Sequence, residues 1–400
     1  MLDAPHILFV ADGRSPITHG WLGNLIDAGW SVHLASSYPC QPMPGLKSME
    51  TIPVALSGLH RRSEPAGGGA NLAGRGRLRH WLGPLTVPLA AGRLHRYLDR
   101  VQPDVVHALR IPFEGMLAAW TDPPVPLVVS TWGNDFTLHG LGSPGMRSLT
   151  QRTMRRADGL HSDCRRDVRL ALESGFEPSR PTTVLPGNGG LDPAFFDDQA
   201  PAEAADPGLR SLLQGLAPGQ PLIVNPRGFR SYVRNEAFFR CLPRVFQEQP
   251  AARVACPAMA GSTLAARWVS ELALEGRVSL LGMLSAADMA HLLRRTTVSV
   301  SPSEHDGTPN SLLEAMACGA LPVAGDIESL REWIEDGRNG LLVDPADEGR
   351  LAQAILGGLA DGGLRRAAAG HNRALARAYA RREHVRDQAL SFYAQVLADG

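Results

Sequence analysis

Residues 297–325 spell out a strand, a helix and a second strand, an order that few folds accommodate. Thr297–Val300 is a short apolar strand. A polar loop follows and ends at Thr308-Pro309, after which the chain turns apolar. Threonine suits a helix N-cap and proline the first helical position, so a helix is expected to open there. Gly319 supplies the residue that closes it, and Leu321–Ala324 returns to strand. A βαβ unit of this kind implies a parallel sheet. The start of its helix offers free backbone N–H groups and the positive end of a dipole, which together form an anion site. Two carboxylates bracket that site: Asp306 in the loop and Glu314 eight residues on, in the helix. An acid at Asp306 is an ordinary dipole partner. Glu314 is different, because Leu312, Leu313, Ala315, Met316 and Ala317 surround it and an unpaired carboxylate there is costly. That placement points to a ligand.

The rest of the chain repeats the alternation. His6–Ala11, Ser31–Ser36, Asp104–Leu109, Pro126–Ser130, Ala157–His161 and Thr182–Leu185 read as strands of a first half. Helices are expected at Trp21–Ala28 and near 85–100. Residues 61–80 are poor in large apolar groups and rich in Gly and Arg, which predicts an exposed loop. In the second half, Leu222–Asn225, Ala252–Cys256 and Arg277–Leu281 read as strands. Asn235–Gln249, 263–274 and Ser285–Arg294 read as the helices between them. The pattern predicts an α/β protein of two doubly wound parallel-sheet domains, 1–198 and 220–379. The stretch 199–219 is the expected linker, although 207–215 has the pattern of a short helix. A final helix, Arg382–Leu397, spaces Val385, Ala389, Phe392 and Val396 along one face.

With 400 residues, 44% of them hydrophobic, the chain can build two sizeable cores. Its net charge is zero, which gives no electrostatic case for nucleic acid. Lys47 is the only lysine, so phosphate-binding cations are expected to be arginines. Five scattered cysteines with no CxxC pair predict reduced thiols in a cytoplasmic protein, without a disulfide frame or zinc site. No signal peptide is expected before the first strand, and no long uncharged apolar run suggests a membrane span. Walker, HExxH and dinucleotide fingerprints are absent, and no metal is expected. Residues 60–100 hold many arginines with Trp81 and few acids, a composition suited to peripheral contact with anionic lipid at the inner face of the membrane.

The acid pair followed by Ala315-Met316-Ala317-Cys318-Gly319 resembles the signature of the family 4 retaining glycosyltransferases of the GT-B fold. Asp306 stands where that family has a glutamate. The resemblance implies two Rossmann-like domains facing a cleft, with the last helix (about 380–400) packing back on the first domain. It also implies a nucleotide-sugar donor and no required metal or cofactor. In such enzymes the second acid, here Glu314, holds the ribose hydroxyls, and the first, here Asp306, approaches the donor sugar. The donor diphosphate lies on the helix start, here Gly307, Thr308, Asn310 and Ser311. The loop Asn225–Asn235 (NPRGFRSYVRN) follows a strand, and its Arg227 and Arg234 match two family cations on the diphosphate. The turn at Met283 matches the nucleobase pocket.

In the first half, His19 in the loop Gly13–Gly20, Trp132, and His107 at a strand end are candidate acceptor or sugar contacts. Asp135 is a candidate base or hydroxyl ligand. The resemblance implies sugar transfer with retention, by a front-face route, to a glycan, lipid or small molecule. The alternatives are a non-catalytic nucleotide-sugar or glycan binder and a nucleotide-sugar epimerase on the same scaffold.

Overall fold

The run His6–Ala11 is apolar on both of its faces, which suits the middle of a parallel sheet covered on both sides. In the computed structural model it is strand β1, and Ile7–Ala11 are all buried. The structure describes residues 4–55, 57, 69–197, 204–230 and 232–399, with the backbone alone for 69–78. After β1 come α1 (Pro16–Asp27), β2 (Ser31–Ser36), β3 (Ser48–Thr51), α2 (Gly69–Val101) and β4 (Val105–Ala108). Next are α3 (Met116–Thr121), β5 (Leu127–Thr131), α4 (Pro144–Arg156), β6 (Gly159–Ser162), α5 (Arg165–Glu173) and β7 (Thr182–Val184). The second half runs α6 (Pro207–Gln214), β8 (Leu222–Val224), α7 (Asn235–Glu248), β9 (Arg253–Cys256), α8 (Thr263–Glu271) and β10 (Val278–Leu280). It continues with α9 (Ala286–Arg295), β11 (Val298–Ser301), α10 (Asn310–Cys318), β12 (Leu321–Gly325), α11 (Glu328–Arg331) and β13 (Leu341–Val343). The chain ends in α12 (Glu348–Ala360), α13 (Gly362–Tyr379) and α14 (Arg382–Asp399).

These elements form two compact units. The first holds the described residues before 58, Asn71–Gly190 and the chain from Arg382 on; the second holds residues 69–70 and Leu191–Arg381. The first sheet has the order β3-β2-β1-β4-β5-β6-β7 and the second β10-β9-β8-β11-β12-β13. Strand pairing is parallel throughout both. Each order reverses once, between β1 and β4 and between β8 and β11. Loops leaving the carboxyl ends of such a pair diverge to opposite faces and leave a crevice, the usual ligand position in sheets of this class. Helix α14 belongs to the first unit, where Val385, Ala389, Phe392, Tyr393 and Val396 share a buried core with Phe9 and Trp21.

Three expectations are corrected. Residues 69–80 are not a loop but the opening of α2, since arginine and leucine are good helix formers and offset the glycines between them. The remainder of that expected loop, 61–68, lies outside the described residues. The 199–219 stretch is not wholly linker: Ala204, Leu209 and Leu216 enter the core of the second unit beside Leu292 and Leu293 of α9. The crossing between units falls earlier, at Gly190–Leu191. Helix α10 begins one residue later than expected, with Pro309 extended at the cap and Asn310 the first helical residue. Among the described residues no helix is long and apolar enough to cross a membrane.

Candidate functional site

The crevice of the second unit is built from the loops that leave β8 and β11. The first is shaped by two buried asparagines: the Asn225 amide donates to Asn235 Oδ1 at 2.9 Å, and the Asn235 amide donates to the Gly228 carbonyl at 2.9 Å. Gly228 takes φ +59 at the bend, which its lack of Cβ permits. The two loops then zip together. Arg234 N–H donates to the Pro302 carbonyl and Glu304 N–H to the Tyr232 carbonyl, both at 2.9 Å. Two ion pairs follow the same path: Arg227 Nη2 to Asp306 Oδ2 at 2.6 Å and Arg234 Nε to Glu304 Oε1 at 2.7 Å. The Arg227 pair is almost enclosed, whereas the Arg234 pair is largely open to solvent. Arg227 Nη1 also donates to Ser311 Oγ at 3.2 Å, and its buried Nε–H has no described acceptor.

Helix α10 stands over this loop pair. Leu312, Leu313, Ala315 and Met316 pack its inner face, and Gly319 ends it at φ +82, where a side chain would collide with Arg373. At its start, the N–H groups of Asn310 and Ser311 have no described acceptor, as expected of the first helical turn. Pro309 contributes none. The loop is pinned from below: Ser329 Oγ donates to the Asp306 carbonyl at 2.6 Å, and Trp333 Nε1 donates to Thr308 Oγ1 at 2.8 Å. Thr308 thus anchors the loop and does not cap the helix, and Gly307 is buried beside it. Nothing in the local sequence marked Ser329 or Trp333 for this task.

Glu314 completes the arrangement. It is half-buried, and its carboxylate has no hydrogen-bond or ion-pair partner among the described residues. Burial pushes its pKa from 4.5 up to about 7; Arg227 pulls against that rise and Asp192 adds to it. An unspent acceptor, two free helix N–H groups and a guanidinium therefore lie on one edge of one sheet. This arrangement suits a ligand that carries both hydroxyls and an anion. Met283, on the turn after β10 at the same edge, has a side chain exposed by 84%, which leaves the backbone as the part of that turn able to shape a pocket.

The first-unit candidates separate into open and spent groups. His19 is exposed near the start of α1, and its Nε2–H donates to the Gly13 carbonyl at 2.8 Å, so the other ring nitrogen faces outward. Trp132 is half-buried, with the Arg110 guanidinium 5.4 Å from its ring centre and an indole N–H that has no described acceptor. Asp135 is wholly enclosed. It accepts from Arg110 Nη2 at 2.8 Å, Ile111 N–H at 3.0 Å and Trp132 N–H at 3.3 Å. Burial raises its pKa while Arg110 and the Ile111 N–H oppose the rise. With no exposure and its oxygens engaged, it holds the loops after β4 and β5 together and does not suit the role of a base.

His107 is corrected from a candidate contact to a core residue: it is fully buried within β4. A chain of hydrogen bonds fixes its tautomer. The Leu185 carbonyl can only accept, so His161 Nε2 carries the proton at 3.0 Å. His161 Nδ1 then accepts from Ser130 Oγ at 2.7 Å, which in turn accepts from His107 Nε2 at 2.8 Å. His107 Nδ1 accepts from the Tyr393 hydroxyl at 2.6 Å. Burial keeps both rings neutral, lowering His161 to about 4 and His107 well below its usual value. The one grouping of metal-ligand residue types among the described residues is Asp163, Cys164 and Asp167, and there Arg166 already donates to Asp167 at 2.7 Å.

Two parallel α/β units with the strand-end crevice described above define the GT-B class of fold. The model of the glycosyl transferase 4-like domain matches residues 13–187, and that of the glycosyl transferases group 1 matches 212–361. The chain belongs to this glycosyltransferase family. It is 35% identical over 125 residues to alpha-maltose-1-phosphate synthase of Mycolicibacterium smegmatis, covering 29% of this chain and 32% of that protein. It is 32% identical over 105 residues to O-antigen chain mannosyltransferase B of Escherichia coli, covering 26% and 27%. The chain thus spans a third or less of the length of these curated relatives. In fold it is similar to sucrose-phosphate synthase from Thermosynechococcus elongatus, with TM-score 0.75 at 18% identity over 99% of this chain and 100% of that one. It is also similar to Anabaena HepE in complex with UDP-glucose, with TM-score 0.71 at 16% identity over 97% and 99%.

Proposed function

We propose that the protein is a glycosyltransferase that moves a sugar from a nucleotide-sugar donor to an acceptor with retention of anomeric configuration. The observation that carries this reading is the unpartnered Glu314 carboxylate beside Arg227 and the free N–H groups of Asn310 and Ser311. A nucleoside diphosphate matches that set: ribose hydroxyls donate to Glu314, and the diphosphate accepts from the helix start and the guanidinium. Relatives support the class, since HepE was solved with UDP-glucose and the named relatives include a mannosyltransferase.

Departure of the diphosphate builds negative charge on its terminal oxygen. Arg227 and the fixed N–H groups stabilise that charge without reorganising, the usual source of the largest catalytic gain. Asp306 holds Arg227 in place and faces the sugar. Arg234, less buried and paired with Glu304, is the second cation on the diphosphate. The leaving oxygen takes the proton from the acceptor hydroxyl on the same face, which gives retention without a side-chain nucleophile. No metal is needed in this scheme, because the cations and N–H groups do the work of charge neutralisation. His19 and Trp132 contact the acceptor or the sugar. Five free cysteines, four of them buried, support a cytoplasmic protein.

The test has two stages. A thermal-shift screen over uridine, guanosine and adenosine diphosphates and their sugars identifies the donor. Transfer is then run with a chelator present, and the fresh product is read by proton NMR. An α product from an α donor, with the rate unchanged by chelation, is the expected result. An inverted product, or activity that returns only with a divalent cation, would overturn the front-face scheme or the metal independence respectively.

A further inference from the structure

Residues 81–89 of α2 read WLGPLTVPL, apolar on every side of the helix. One side is accounted for. Val87, Ala90, Leu94, Tyr97 and Leu98 are buried in the first unit, and a side chain at Gly83 would strike Phe113. The other side is uncovered: Trp81 is 62% exposed, Leu82 42%, Leu85 68% and Leu89 82%. Helical spacing sets Trp81, Leu85 and Leu89 in one row with Leu82 beside it. The loop before α4 lies alongside, since Ser143 Oγ donates to the His80 carbonyl at 2.7 Å and a side chain at Gly145 would touch Pro84. That loop adds Leu141, 63% exposed. These five are half of the ten exposed large hydrophobic residues among those described. Scattered, such residues are ordinary; gathered in one patch, they mark an interaction surface.

The charge around the patch names the partner. Residues 61–100 carry eight arginines against two acids, Glu64 and Asp99, in a chain whose total charge is zero. Three of the eight (Arg75, Arg77, Arg79) precede the apolar row in sequence, and three (Arg93, Arg96, Arg100) follow it. Arg79 lies over the buried Phe113 ring, Arg93 donates to the Thr51 carbonyl and Arg100 pairs with Glu50, while exposed Arg96 has no described partner. A tryptophan and leucines flanked by arginines are the composition of helices that lie in the headgroup region of anionic bilayers. We propose that this face of α2 docks on an anionic lipid surface, with the leucines at the acyl boundary and the exposed Arg96 among the phosphates. The surface uses no residue of the donor site and goes beyond the transferase reading, placing the acceptor at or near a membrane.

The full chain is sedimented with vesicles of phosphatidylcholine, with and without a quarter of phosphatidylglycerol. Binding is expected to the anionic vesicles, weakly or not at all to the neutral ones, and less at raised salt. The double variant Leu85→Ser, Leu89→Ser should lose roughly tenfold or more of the affinity. Arg96→Glu should lose less, and only where phosphatidylglycerol is present. Both changes are at exposed positions, so unchanged melting temperature and unchanged nucleotide binding show that fold and donor site persist. The idea is overturned if the wild type ignores anionic vesicles, or if the double variant binds them equally well. It is also overturned if light scattering finds a dimer that the double variant abolishes, because the face would then be a self-association surface.

Discussion

Asp135 and Glu314 make an instructive pair. Each follows a parallel strand in its own unit, at the loop edge in one case and within the next helix in the other. Burial raises the pKa of both. Their surroundings differ. Asp135 accepts from one guanidinium and two backbone N–H groups, so its lone pairs are spent on joining two loops of the first unit. Glu314 has no described partner, and Arg227, the cation that opposes the rise of its pKa, is bonded to Asp306 and Ser311 instead. Burial and a perturbed pKa are therefore common to a structural acid and a candidate ligand-binding one. The unspent acceptor separates them: Asp135 is wholly enclosed with its oxygens engaged, whereas Glu314 is half-buried and keeps its lone pairs for an incoming ligand.

The sharpest way to break this contrast is to remove the cation. Arg227→Ala should lower kcat/KM roughly 100- to 1000-fold, about 3–4 kcal/mol, through loss of a charged donor to the leaving group. It also takes the guanidinium partner from Asp306, so Arg227→Lys is the control that keeps the charge. A rate within a few-fold of wild type for the alanine variant would exclude Arg227 from the reaction. Asp135→Asn tests the other side. Its amide would face N–H donors, and about 1–3 kcal/mol of stability should be lost in chemical denaturation. Nucleotide affinity should not change. Undiminished stability with turnover abolished would restore Asp135 to catalysis and collapse the distinction drawn above.

Sequence carried the βαβ alternation well, because each unit's strands are short apolar runs punctuated by glycine and proline. It carried the Asp306–Glu314 spacing too, since both lie on one loop-helix segment. It did not carry the pairing of Arg227 with Asp306, 79 residues apart, or of His107 with Tyr393, 286 apart. Those depend on which strands become neighbours, and no local pattern encodes that. His107 looked like a strand-end ligand because histidine is usually polar and exposed. Its burial rests on Ser130, His161 and Tyr393, which satisfy both ring nitrogens in turn. The one-residue error at α10 has a local cause: with Pro309 extended, Thr308 is left to bond Trp333, and the helix opens without a side-chain cap. Helix α2 was obscured at its start by glycines and runs through Pro84 and Pro88, residues that normally break the helical reading.

A smaller effect is expected from Glu314→Gln. The variant keeps the shape of the side chain but replaces one acceptor oxygen with a donor. Affinity for the nucleoside diphosphate should fall roughly tenfold, about 1–2 kcal/mol, as expected for hydrogen bonds to a charged acceptor. Melting temperature at pH 8 should hold or rise, because the variant removes a buried charge without stranding any partner. An affinity equal to wild type by calorimetry would remove Glu314 from the ribose and erase its difference from Asp135.

The smallest effect is the most specific, because it carries a sign. The Glu314 carboxyl titrates at about 7 in the folded protein against an ordinary 4.5. Sugar hydroxyls donate to the ionised form, so binding should release a proton and lower that pKa. Affinity for a nucleotide sugar should therefore increase as pH rises through about 7 and level off above it, by a few-fold in all. The diphosphate of a nucleotide sugar holds its charge across this range, so the slope belongs to the protein. Stability runs the other way. A carboxyl whose folded pKa is raised keeps its proton longer in the native state, so the fold is favoured below about 4.5, loses stability as pH climbs towards 7, and is flat beyond. Glu314→Gln should flatten both of these contributions together. Asp135→Asn should leave the affinity slope intact, since Asp135 touches no ligand in this scheme. Calorimetric titrations at pH 6, 7 and 8 on the three proteins would decide it: a slope that survives Glu314→Gln means that some other group governs donor binding.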